Sequence, residues 1–239
     1  MKLLLIAGGL LFSFAALSQN VVDVNRANHT VSGSEFFTVA GNPFVNTKYV
    51  SVVEGTPYFS ADWMKGVIVL SNNQEFKQYL LRINLDQGEL LYKDELGNEM
   101  IATSIVKEVI LTDDTGNNYR FIHSSFLPKT DAMKEGWYLW LCTGTASLYK
   151  FFTKTWSEIK QYGSATVEQR IRTVETYFIH YNNSFFEVKK LKEVPGVLAN
   201  KKAGLEDFLS TRDDKSAGMD DRFTALVEYF NSISGEAKK

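Results

Sequence analysis

Short apolar runs punctuated by pairs of Asn, Asp and Gly set the tightest limit on what this chain can fold into. Lys65–Leu70 and Glu75–Leu85 flank Asn72-Asn73, Asp86-Gln87-Gly88 precedes Glu89–Lys93, and Asp94–Asn98 leads into Glu99–Thr103. Val106–Thr112 and Asn118–Ser124 flank Asp113-Asp114-Thr115-Gly116-Asn117. Gly136–Thr143 and Ser147–Lys154 flank Gly144-Thr145-Ala146, and Thr173–Tyr181 and Ser184–Lys190 flank Asn182-Asn183. Asn, Asp and Gly tolerate the left-handed backbone that short hairpins need, which is why they recur between apolar runs. About ten strands at short spacing, with no helical pattern between them, exclude a parallel α/β fold. They predict a mainly β chain: an antiparallel meander, either an open half-barrel or a sandwich.

Alternation within the runs assigns faces. In 76–84, Tyr79, Leu81 and Ile83, with Leu85 beyond, share a face that is apolar apart from Lys77, so that face should meet the core. In 176–181 both faces carry rings or aliphatics. After Pro195-Gly196 the period changes. Leu205, Phe208 and Leu209 fall at helical spacing, and Phe223, Leu226, Val227, Phe230 and Ile233 form one apolar stripe. Asp220 or Asp221 suits the N-cap and the positive end of the helix dipole, and Gly235 suits the stop. A helix of about 14 residues is marginal alone, so the stripe should dock on the sheet or on a partner.

The N-terminus reads Met-Lys, then an apolar run to Leu17 broken only by Gly8, Gly9 and Ser13, then Ala16-Leu17-Ser18. That order is a secretory signal peptide over 1–18, and the run is short for a membrane anchor. Residues 19–34 are a polar leader, with room for one short strand. Residues 35–192 are the β domain and 193–239 a helical segment packed on it. The expected product is exported, to the periplasm or beyond. Formal charge is −2, and loss of Lys2 makes it one unit more negative. That balance gives no footprint for nucleic acid and no polybasic patch for anionic lipid. The single cysteine, Cys142, has no partner within the chain, so stability must come from burial.

Residues 55–70, with Pro57-Tyr58 ahead of Trp63 and Lys65-Gly66, and Tyr79–Lys93 resemble a recurring opening in exported proteins of Gram-negative bacteria. The ending Leu226–Asn231, after a first helix with Lys201 and Lys202, is similar to the ending of the same group. The resemblance covers most of the mature chain. It implies a β-rich exported protein with no assigned activity, and it carries over no catalytic residue.

Known chemistries find little support. Counted from Asp113, an EF-hand loop would need Gly at the sixth position and Glu at the twelfth, where the chain has Asn118 and Ser124. A looser cation site on Asp113 and Asp114 is the residual metal reading; the alternative is a solvated turn. His29, His123 and His180 show no zinc spacing with one another or with Cys142. No Gly-x-Ser-x-Gly elbow or phosphate-binding glycine loop occurs in the mature chain. His123 borders Ser124 and Ser125, but triads assemble across a fold rather than between neighbours. No cofactor is called for.

The aromatic cluster carries the one modest functional signal. Trp137, Tyr138, Trp140, Tyr149, Phe151, Phe152 and Trp156 crowd one predicted hairpin, and both faces of 137–141 carry a large ring. One face can belong to the core. The other needs a cover: the tail helix, a partner, or a ligand such as an acyl chain or sugar. Trp137, Tyr138, Trp140, Tyr149, Phe152 and Trp156 are therefore the candidate binding residues. The functional expectation is a non-enzymatic envelope protein that binds a partner. The alternatives are a carrier of a hydrophobic acyl-chain ligand and a hydrolase with an unrecognised carboxylate site.

Overall fold

The computed structural model describes residues 41–43, 51–131, 133–160 and 167–235. The chain divides into Met1–Phe36 and Phe37–Lys239, and every described residue belongs to the second unit. The expected signal peptide and leader lie outside the described residues.

Among the described residues, twelve strands form one sheet. They are β1 (Gly41–Pro43), β2 (Ser51–Glu54), β3 (Met64–Leu70), β4 (Glu75–Asn84), β5 (Glu89–Lys93) and β6 (Glu99–Ala102), followed by β7 (Val106–Thr112), β8 (Asn118–His123), β9 (Trp137–Cys142), β10 (Ser147–Lys160), β11 (Val167–Tyr181) and β12 (Ser184–Val188). The order is β1-β6-β5-β4-β3-β7-β8-β9-β10-β11-β12. Two antiparallel meanders, β3–β6 and β7–β12, are joined edge to edge where β3 pairs β7. β2 runs parallel to the outer part of β11, the one departure from antiparallel pairing among the described strands. The fold is thus mainly β, an open and mostly antiparallel sheet.

The turns follow their residues. Asn182 and Asn183 both take positive φ, 49° and 59°, as a two-residue hairpin requires. β10 and β11 extend well past the expected 147–154 and 173–181, forming a long two-stranded arm. Polar and β-branched residues there hide the strand from an apolar period while keeping good strand propensity.

The sheet curls over its inner face. Ile68, Leu81, Ile83, Val109 and Phe121 are sealed there, with Phe59 wedged against Phe121 and Phe152. Gly66 lies opposite a bulge in β4, where Gly66 and Val67 pair with Tyr79 and Lys77, and a Cβ on it would stand 2.6 Å from the Ile110 carbonyl oxygen. Farther along the same face, Leu148, Tyr177 and Ile179 meet the C-terminal helices α1 (Val194–Val197), α2 (Lys202–Thr211) and α3 (Met219–Gly235). The α3 stripe docks within the chain: Phe223, Leu226, Val227 and Phe230 are fully buried. At about 1.5–3 kcal/mol per buried side chain, that face stabilises the helix more than its own backbone can.

Polar contacts fix the register of docking. Asn231 accepts from the Ala146 amide (2.8 Å) and donates to the Ala146 carbonyl (3.0 Å), clamping the β9–β10 turn. A Cβ on Gly144 would collide with the Asn231 side-chain amide. Asp220, in the first turn of α3, takes a salt bridge from buried Lys150 (2.6 Å) and a hydrogen bond from the Tyr177 hydroxyl (2.7 Å). Asp220, expected at the N-cap, thus lies inside the first turn, because the helix starts at Met219, and it ties the helix to the sheet. No helix among the described residues is long and apolar enough to cross a membrane.

Candidate functional site

The expected ring cluster divides by strand parity. Trp137 and Phe152 belong to the inner core, while Tyr138, Tyr149 and Phe151 form an outer cluster against which Trp140 packs. Tyr138 is 0% exposed and Trp137 and Tyr149 are each 4% exposed. The tail helix, one cover considered for the second face, lies on the inner side instead. Phe126, Leu127 and Met133 of the β8–β9 loop cover the outer cluster. Tyr138 anchors that loop: its hydroxyl accepts from the Lys134 amide and donates to the Lys134 carbonyl, both at 3.1 Å. Burial pushes the Tyr138 phenol up to about 12, which keeps it a neutral donor.

The remaining outer rings cover one another. Arg120 lies 4.3 Å from the centre of the Trp140 ring and makes a two-pronged ion pair with buried Glu108. Trp140 stacks on Tyr149, Tyr149 on Phe185, and Phe185 on His180. Faces used in stacking are not open to a sugar or an acyl chain. Cys142 leaves this face: a register shift beside Leu148 and Tyr149 turns it toward the helix cluster, not alongside Tyr138 and Trp140 as simple alternation requires. Burial pushes its thiol up to about 11, so the reactive thiolate is scarce at neutral pH.

Two of the tryptophans reach across the curl. Trp137 Nε1 donates to the Gly88 carbonyl (3.0 Å), and Trp156 Nε1, in a residue 36% exposed, donates to Asp86 Oδ1 (2.8 Å). Together they hold the β4–β5 turn against β9 and β10, closing by side chains a gap that backbone pairing leaves open.

Clefts gather at this junction. One of about 310 Å³ lies between the Asp86–Gly88 turn, the Lys134–Gly136 end of the β8–β9 loop and residues Phe151–Lys154 of β10. A second, of about 320 Å³, shares Gly88 and His123 with it and reaches Trp137 and the β6–β7 connection at Ser104–Ile105. A third, of about 270 Å³, lies under Ser124–Ser125 and Lys129–Glu135. Burial lowers the pKa of His123, with Glu135 opposing, and burial likewise lowers that of Lys154, with Asp86 opposing. Shifted groups of both kinds facing one cleft are a physical mark of a site. Lys134 and Lys154 are steadied by Thr153 (3.3 Å) and Thr173 (2.9 Å).

His123 and Ser125 do touch: Nδ1 stands 2.5 Å from the hydroxyl. The same nitrogen accepts from the Ser125 amide, so the contact caps the short 3-10 turn Ser124–Phe126. That is local turn chemistry.

The acidic turn is likewise built from within. Asp113 Oδ1 accepts from Thr115 N, Thr115 Oγ1 and Asn117 N, and Oδ2 accepts from Asn117 Nδ2 and Tyr119 OH. These bonds, led by the one from Thr115, hold its carboxyl well below the usual range. Asp94 repeats the arrangement with Leu96, Gly97 and Asn98, so Asp-x-x-Gly-Asn is a hairpin turn used twice. Neither Asp113 nor Asp114 belongs to a group of three or more His, Cys, Asp or Glu able to hold a metal, and none was found among the described residues.

Asp86, Lys134, Glu135 and Lys154 had no signal of a site in the sequence, because they are isolated charges on three separate elements. Comparison with known proteins finds no family model, no curated protein and no solved structure that matches this chain.

Proposed function

We propose that the protein is an exported, non-enzymatic binding module that meets its partner at the groove formed by the β4–β5 turn, the β6–β7 connection and the β8–β9 loop. One observation carries this reading: clefts of about 310 and 320 Å³ meet at Gly88 and His123, in a molecule whose curled inner face is filled. Export rests on the order of charge, apolar run and small residues over 1–18.

A carrier of acyl chains is supported less. Ile68, Leu81, Ile83, Val109 and Phe121 are fully buried, so a chain entering there would have to displace packed core. A hydrolase with a carboxylate site is supported less, because Asp86, one carboxylate of the cleft, is taken up by Trp156 Nε1 in holding the β4–β5 turn.

The test is photo-crosslinking in the native host. A crosslinker at Gln87 or Glu135 in the groove is expected to trap a partner, and one at Leu96 or Thr115 on the distant turns is not. Adducts confined to the distant turns would move the binding surface away from the groove.

A further inference from the structure

We propose that the groove takes an extended peptide segment of its partner, which adds a strand to the unpaired edge of β10 beyond Phe151; this rests on the groove being the binding surface.

The geometry argues as follows. β9 pairs with β10 only as far as Tyr138 opposite Phe151, yet β10 runs on to Lys160. Among the described strands, none pairs with that edge along Phe152–Lys154. Successive strand residues point to opposite faces. Phe151 belongs to the outer cluster and Phe152 to the inner core, yet Phe151, Phe152, Thr153 and Lys154 all line the same cleft. A cleft touched by four consecutive residues straddles the edge of the strand. It does not lie on either face.

The edge is also walled. On the inner side stands the Asp86–Gln87 turn, held by Trp156. On the outer side stands the end of the β8–β9 loop, where Lys134 reaches Thr153. The slot begins where β9 enters, with Gly136 at φ 133° and Gly88 close beside it. An incoming chain would continue along the line that β9 leaves. Alternating N–H and C=O groups on a strand edge are matched by another extended backbone, and pockets on either side then read alternate side chains.

Charge narrows the occupant. The inner side offers Asp86 and Lys154, and the outer side Lys134 and Glu135. Each side carries one charge of each sign. A polyanion such as nucleic acid, or an anionic lipid surface, requires a net positive site. A peptide with polar or charged side chains of either sign, and no proline at the paired positions, fits both walls.

The test uses the full exported chain and a phage-displayed library of random octapeptides. An enriched peptide is then synthesised with single N-methyl groups along its backbone. Strand addition predicts that N-methylation at alternate positions weakens binding roughly tenfold or more, while the positions between tolerate it. Amide hydrogen exchange at Lys154, whose N–H faces the open edge, should slow in the complex. Glu135→Trp, on an exposed loop, should fill the slot and weaken binding by at least about tenfold with the thermal midpoint unchanged. Lys154→Pro is the second variant and should do the same, because the Lys154 N–H faces the open edge whereas that of Thr153 faces Val174 of β11.

Peptides that bind without regard to N-methylation or Glu135→Trp would overturn strand addition. So would a library that enriches nothing. An oligosaccharide array bound through the groove, and lost in Glu135→Trp, would overturn the peptide while leaving the groove as the binding surface. Empty crosslinks from Gln87 and Glu135 would instead bring down the groove reading itself.

Discussion

The two faces of the β9–β10 hairpin carry rings in the same alternation but are covered in different ways. The inner face passes from the curled core at Trp137 and Phe152 to the helices at Leu148. Its helical cover comes from far along the chain and is held by Asp220 and Asn231. The outer face is covered by the loop that directly precedes the hairpin and by rings stacked on one another. Apolar alternation thus says that a face is buried. It does not say by what, and the two kinds of cover should fail differently.

The largest effect is expected on the inner face. Phe223→Ala removes a fully buried ring stacked on Tyr177 and should cost about 3–5 kcal/mol in chemical denaturation. If the cost is under about 1 kcal/mol, the helix contributes little and the comparison collapses.

Asp220→Ala comes next. It leaves buried Lys150 with only Glu175 (3.3 Å) and orphans the Tyr177 hydroxyl. Because the Asp220 side chain is 40% exposed, the loss is discounted to about 2 kcal/mol. Adding Lys150→Met should restore part of it, since a buried pair costs desolvation to form. A purely additive double variant would show that the two residues are not coupled.

On the outer face, Tyr138→Phe keeps the ring but frees the loop at Lys134. The expected loss is about 1 kcal/mol, with faster hydrogen exchange at the Lys134 amide. Unchanged exchange there would mean that the loop is held by Leu127 and Met133 alone.

The smallest effect is acid sensitivity. Burial lowers the pKa of His180 on the outer face and of His123 at the groove. A lowered histidine value means that the unfolded chain binds the proton more readily, so stability rises with pH across the shifted interval. Acidification below about 6.5 should therefore lower the melting temperature. The drop between pH 7 and 5 should shrink in His180→Phe and His123→Asn. An unaltered drop in both would place the titration on other groups.

Much of the architecture was legible because hairpins are local. Asn182-Asn183 and the repeated Asp-x-x-Gly-Asn turns need positive φ, and side chains a few residues away satisfy their backbones. The stripe of α3 and the face from Tyr79 to Leu85 read correctly because a helix and a strand each have one period, but the alternation over 76–84 breaks at the bulge opposite Gly66, so Phe76, on the other face by alternation, packs on the same core. The arm beyond Lys154 did not, since solvated strand faces lack an apolar signal. The candidate groove did not either. His123 was visible as a neighbour of two serines and as a histidine without zinc spacing, and Asp86 as a turn residue, while Lys134, Glu135 and Lys154 carried no signal of a site.

The sequence by itself determined the strand content, most hairpin turns and the amphipathic tail helix, because each rests on interactions a few residues apart. Tertiary structure alone decided that β3 joins β7, that Trp137 and Trp156 reach back to the Asp86–Gly88 turn, and that the outer rings lie under a loop. These depend on how the sheet curls, and curl comes from packing side chains brought together from opposite ends of the sheet order.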